Sequence, residues 1–157
     1  MRWALLLIAA ILLAGCGSSS KESATTTTTS APPGNVLYAG GDWAVSLDGA
    51  RATAYHRVAG TWHPDTSGAV KIAILGPKGK VASIPQAAVE LRATKPLIES
   101  GMWIDGEELV VKGGGLQPER GTIYGAPGAT LAPGKHVAVA FGRTATHATA
   151  VAWTFTV

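Results

Sequence analysis

Two segments close to the C-terminus, residues 136–141 and 149–157, alternate along their whole length. In the first, Val137, Val139 and Phe141 share one face, and in the second Val151, Trp153, Phe155 and Val157 do. A period of two predicts a pair of half-buried antiparallel strands. The second segment ends on Val157, and an apolar strand left unpaired there would expose a sticky edge, so it is expected to pair inside a sheet. The rest of the chain is therefore read as a β-sandwich.

Composition agrees with that reading. At 157 residues the chain has room for one domain with additions, but not for two cores of ordinary size. It holds 20 glycines and only 15% charged residues, and it is rich in alanine, valine and threonine, which suits short strands joined by tight turns. The net charge is +3, and no run of Lys or Arg breaks the sequence, so nucleic acid is not expected as a partner. The one cysteine, Cys16, rules out an internal disulfide. Stability must come from apolar burial and sheet hydrogen bonds.

Residues 1–15 read as a signal peptide. Arg2 gives the positive start, and residues 3–13 form an apolar run too short to span a bilayer comfortably. The run closes on Leu13-Ala14-Gly15-Cys16, which resembles the bacterial lipobox. The resemblance implies cleavage before Cys16 and acylation of its thiol, and two acyl chains suffice for stable anchoring. Palmitate-type lipidation at Cys16 on the extracytoplasmic face of the cell membrane is the expectation. Residues 16–35 follow as a Ser/Thr/Pro-rich tether, with threonine at every position of 25–29, and too little apolar surface to fold alone.

The folded part, residues 36–157, is punctuated by turns. Trp43, Val45 and Leu47 alternate up to Asp48-Gly49, and residues 51–58 continue beyond, which predicts a hairpin. Pro64, Ser67 and Gly68 mark a loop, and Val70, Ile72 and Ile74 make the next strand face. Residues 81–84 are read as a short strand ended by Pro85. In 87–93, Val89 and Leu91 point one way and Glu90 and Arg92 the other. Ala, Glu, Leu and Arg there also favour helix, but the segment is short and flanked by strands, so it is read as a strand. Asp105-Gly106 predicts a second hairpin between 102–104 and 109–111, and 122–124 supplies a further strand. The expectation is an all-β protein with about eight or nine strands.

From residue 81 to 157 the chain resembles a bacterial immunoglobulin-like domain. The resemblance rests on Trp103-Ile104-Asp105-Gly106 in a mid-domain hairpin, on the run from Leu131-Ala132-Pro133-Gly134 into Val137 and Val139, and on the closing Trp153-Thr154-Phe155-Thr156-Val157. It implies an immunoglobulin-like antiparallel β-sandwich. The family commonly places Asp and Gly-Asn in its last hairpin loop, whereas residues 142–147 have neither, so no cation role carries over. Residues 36–80 fall outside the resemblance and can add strands to the same sandwich.

Chemistry-bearing residues are sparse. There is no Gly-x-Ser-x-Gly elbow, and Cys16 is committed to the anchor, so no catalytic residue is assigned and an enzyme is not expected. His56, His63, His136 and His147 lack a short ligand spacing, and neither a metal site nor a cofactor is assigned. Asp105, Glu107 and Glu108 read as turn acids. Candidate ligand contacts are Trp43, Trp62, His63 and Trp103, since sandwich loops can use exposed aromatics, although large aromatics are more often buried. The expected function is a non-catalytic, membrane-anchored surface lipoprotein that engages a protein or the cell wall. The alternative is a binder of carbohydrate or metal near Trp62 and His63.

Overall fold

The structure is a computed structural model and describes residues 30–157. The expected signal peptide, the lipobox-like segment with Cys16 and the expected tether up to residue 29 lie outside the described residues. Within them the protein is all-β, with thirteen strands. In chain order these are β1 (Asn35–Gly40), β2 (Trp43–Asp48), β3 (Arg51–Val58), β4 (Thr61–Pro64), β5 (Val70–Gly76), β6 (Gly79–Lys80) and β7 (Ala87–Ala93). They continue with β8 (Glu99–Ile104), β9 (Glu107–Glu108), β10 (Lys112–Gln117), β11 (Arg120–Gly125), β12 (Lys135–Arg143) and β13 (Ala148–Thr156). The strands form three sheets: A, ordered β1-β2-β3-β4; B, ordered β10-β11-β7-β5; and C, ordered β6-β13-β12-β8-β9.

Sheet C is the middle layer. Met102, Ile104, Ala138, Ala140, Trp153 and Phe155 on one face pack against Val89, Leu91 and Ile123 of sheet B. Trp103, Val139, Phe141 and Ala148 on the other face pack against Trp43, Val45 and Ala54 of sheet A. Residues 35–64 therefore add no strand to either sheet of the sandwich; they make a third sheet stacked outside it.

This layering corrects the expectation of half-buried strands. Opposed residues of an antiparallel pair share a face, and the register sets Val139 beside Trp103 and Ala152, and Phe141 beside Gly101 and Ala150. Ala138 likewise lies between Ile104 and Trp153, and Ala140 between Met102 and Val151. The apolar face of 136–141 thus points to sheet A, and that of 149–157 points the opposite way, to sheet B. The alternation is large against small, with both faces of β12 covered. Gly101 extends the same logic, because a Cβ there would lie 2.6 Å from the Trp103 ring.

The higher strand count comes from elements that carry little pattern. β6 and β9 span two residues each, too few for periodicity, and β10 carries three consecutive glycines after Lys112. Two expected strands are absent: 81–84 and 109–111 are irregular, and Val110 is 81% exposed. The Asp105-Gly106 turn forms as expected, with both residues at positive φ. A turn of the same kind, Ala59-Gly60, joins β3 to β4 and was hidden because alanine rarely adopts the left-handed φ of 49° found there. Relieving that conformation is worth more than the extra chain entropy glycine adds. Ala59→Gly is therefore expected to stabilise the protein by about 0.5–1 kcal/mol, read by chemical denaturation.

Candidate functional site

The fold does not gather the four aromatic and imidazole candidates into one site. Trp43 and Trp103 are 5% and 2% exposed and belong to the core between sheets A and C, so neither offers a ring to a ligand. Trp62 and His63 are neighbours on β4, and successive strand residues face opposite ways. His63 lies in a cross-strand row with His56 and Trp43, and the His56 ring stacks on Trp43 at 4.2 Å. Trp62 shares the outer face of sheet A with Arg57, whose guanidinium sits 5.3 Å from the indole centroid and bridges to Asp42 at 3.0 Å. The structure does not combine Trp62 and His63 into one site.

The outer face of sheet A is where polar groups and free volume meet. The Trp62 Nε1–H donates to the Ser30 carbonyl at 2.8 Å, and the Ser30 hydroxyl donates to the Gly60 carbonyl. Asn35, by contrast, pairs with Leu47 at the opposite edge of the sheet. Residues 30–34, read from sequence as tether, therefore cross the outer face as a strap. They explain why Ala44 and Ser46, which alternate away from Val45, are nevertheless buried.

Beside the strap lies a groove of about 540 Å³, lined by Pro33, Asn35, Ser46, Asp48, Thr53 and Tyr55 among others. Ser46 is 5% exposed, and its Oγ is, among the described residues, the buried side-chain polar atom without a hydrogen-bond partner. None of these lining residues was singled out from sequence. The available signal was the alternation of β2 and β3 itself, which sends Ser46, Thr53 and Tyr55 to one polar face while Val45 and Ala54 go to the core.

The titratable groups elsewhere hold the layers together. The Tyr38 hydroxyl donates to Glu99 at 2.6 Å, Arg143 donates to the other Glu99 oxygen, and the Arg143 guanidinium lies 5.8 Å from the Trp43 centroid. Burial, followed by the Glu99 hydrogen bond, pushes the Tyr38 phenol above its ordinary range. This cluster ties β1 to β8 and β12, across the junction of sheets A and C.

His136 is gripped at both ring nitrogens, by the Asp105 carboxylate at 2.6 Å and the Ala132 carbonyl at 2.8 Å. Two acceptors suit the imidazolium, in which both nitrogens donate. The Asp105 hydrogen bond first, and the Ala132 carbonyl second, raise the His136 pKa above its ordinary 6.5 against a smaller opposing effect of burial. An NMR titration is expected to place its midpoint above 6.5. Because the folded value exceeds the unfolded one, the attendant stability is complete below that unfolded value and fades as pH rises through the folded one. Asp105 also accepts the Val137 amide at 2.9 Å, so this turn acid is committed to structure.

Among the described residues, no group of three or more His, Cys, Asp or Glu side chains is placed to hold a metal ion. The outer face of sheet A presents a groove, hydroxyls, carboxylates and aromatic rings. No protein-family model matches the chain, and no curated protein is significantly similar to it.

Proposed function

We propose that the chain is a non-catalytic, lipid-anchored extracytoplasmic protein in which an immunoglobulin-like sandwich carries a recognition surface for a protein or cell-envelope partner. Support for the immunoglobulin-like reading is the strand order. Sheet B, ordered β5-β7-β11-β10, faces β13-β12-β8, with β6 parallel to β13. Taking β5, β7, β8, β10, β11, β12 and β13 as strands A to G reproduces the ABED and CFG sheets of that fold. The reading thus begins at Val70 rather than at residue 81.

The observation that carries the recognition role is sheet A. The sandwich of sheets B and C already has a core of its own, and the added sheet presents an outer face bearing Trp62, Arg57, Tyr55 and the groove. The strap, residues 30–34, lies on this same face, at the end of the described chain that leads back towards Cys16. Globomycin should make an unprocessed precursor accumulate, and Cys16→Ser should release the protein from membranes. A photo-crosslinking amino acid at Thr53, on the outer face of sheet A, should capture an envelope component in intact cells, whereas one at Arg92, on the solvated face of sheet B, should not. Equal capture from both positions, or from neither, would contradict the assignment of the surface.

A further inference from the structure

We infer that the groove beside the strap is a saccharide site, with Asp48, Thr53 and Tyr55 as its contacts. This deepens, and rests on, the reading of sheet A as the recognition surface. The groove's volume of about 540 Å³ falls within the range of small-ligand clefts. No Lys, Arg or His lines it, so nothing compensates an anion, and phosphate or nucleotide ligands are excluded. One carboxylate, Asp48, is too few for a hard cation that takes six or more oxygen ligands.

The lining does match a polyhydroxylated ring. Sugar hydroxyls donate and accept together, and so do the hydroxyls of Thr53 and Tyr55, while the Asp48 carboxylate accepts from paired donors. The Tyr55 ring and Pro33 supply the apolar surface on which the C–H face of a sugar can lie. Ser46 lines the groove as part of its floor, since its Oγ is buried and closed to a ligand.

The test uses the full chain in detergent, titrated with chitotriose, maltotriose and mannotriose and followed by amide NMR. At least one trisaccharide should shift the amides of Ser46, Thr53 and Tyr55 saturably. Thr53→Val removes the hydroxyl while keeping the side chain's shape, so it should fold as well as the parent yet bind about fivefold more weakly. Tyr55→Ala should weaken binding by about tenfold or more. Absence of saturable shifts with all three sugars, saturable shifts confined to another surface, or unchanged affinity in Thr53→Val would overturn the saccharide assignment. Capture of a partner through Thr53 together with a negative titration would overturn the inference alone and leave the recognition surface standing. Failure of both would remove both.

Discussion

Phe141→Ala is expected to cost about 3–5 kcal/mol of stability, measured by chemical denaturation. Phe141 is 1% exposed and lies on the face of sheet C that meets sheet A, with its ring centroid 5.5 Å from that of Tyr38. Its cross-strand neighbours are Gly101 and Ala150, which are too small to collapse into the space the ring would leave. A residual cavity adds to the lost transfer energy when surroundings cannot relax, which puts this site in the costly class. Were sheet A absent from this face, Phe141 would stand in solvent and the substitution would cost within about 0.5 kcal/mol. The size of the effect therefore reports the third layer.

Asp65→Ala should destabilise by about 2–3 kcal/mol, through a different mechanism. The Asp65 side chain is 7% exposed and sits in the connection between β4 and β5, that is, between sheets A and B. One oxygen accepts the Ala148 amide at 2.8 Å and the other accepts the Ser67 amide at 2.9 Å, while His147 Nδ1 lies 3.4 Å away. Ala148 is fully buried, so truncation leaves its N–H without a partner in a dry setting. Burial by itself would raise the Asp65 pKa, but hydrogen bonds from Ser67 and Ala148, and then the nearby His147, outweigh it and hold the carboxyl below its ordinary 3.8. A depressed folded value means that this stabilisation is present above the unfolded value and disappears as pH falls through the folded one. Asp65→Asn should therefore flatten the acid limb of the stability profile below about pH 4, because the titrating carboxyl is gone.

How much of this was legible in the sequence depends on what each residue's pattern encodes. Strands with apolar residues alternating against charged ones, such as β7 with Val89 and Leu91 against Glu90 and Arg92, read correctly because one face is wet. β12 read correctly as a strand and incorrectly as half-buried. Alanine at 138 and 140 resembles a solvent-side spacer in a hydropathy pattern, yet it is the residue that lets Trp153, Ile104, Met102 and Val151 fit beside it. Volume complementarity between layers is a tertiary property, and alternation within one strand does not report it.

The same limit applied to the binding face. Large aromatics draw attention in a sequence, but Trp43 and Trp103 are spent on the interface between sheets A and C. Trp62 was legible as an aromatic beside a loop; its turn to the outer face depended on β4, which follows a left-handed alanine that no turn pattern flags. The groove is built by small polar residues of β2 and β3 together with Pro33 of the strap. Its location required knowing that residues 30–34 fold back over sheet A. The link between Asp105 and His136 was also out of reach, because it joins residues 31 positions apart through a turn and a strand start.

Thiol labelling tests the three-layer arrangement most directly, since Cys16 is the chain's only cysteine and can be replaced by serine. Val139 is 1% exposed and faces sheet A, whereas Ala140 is fully buried and faces sheet B. In Val139→Cys and Ala140→Cys variants, both thiols should resist an aqueous disulfide reagent until the protein is unfolded. Protection at 140 with rapid labelling at 139 under native conditions would contradict the account, because it would leave the hairpin covered on one face only.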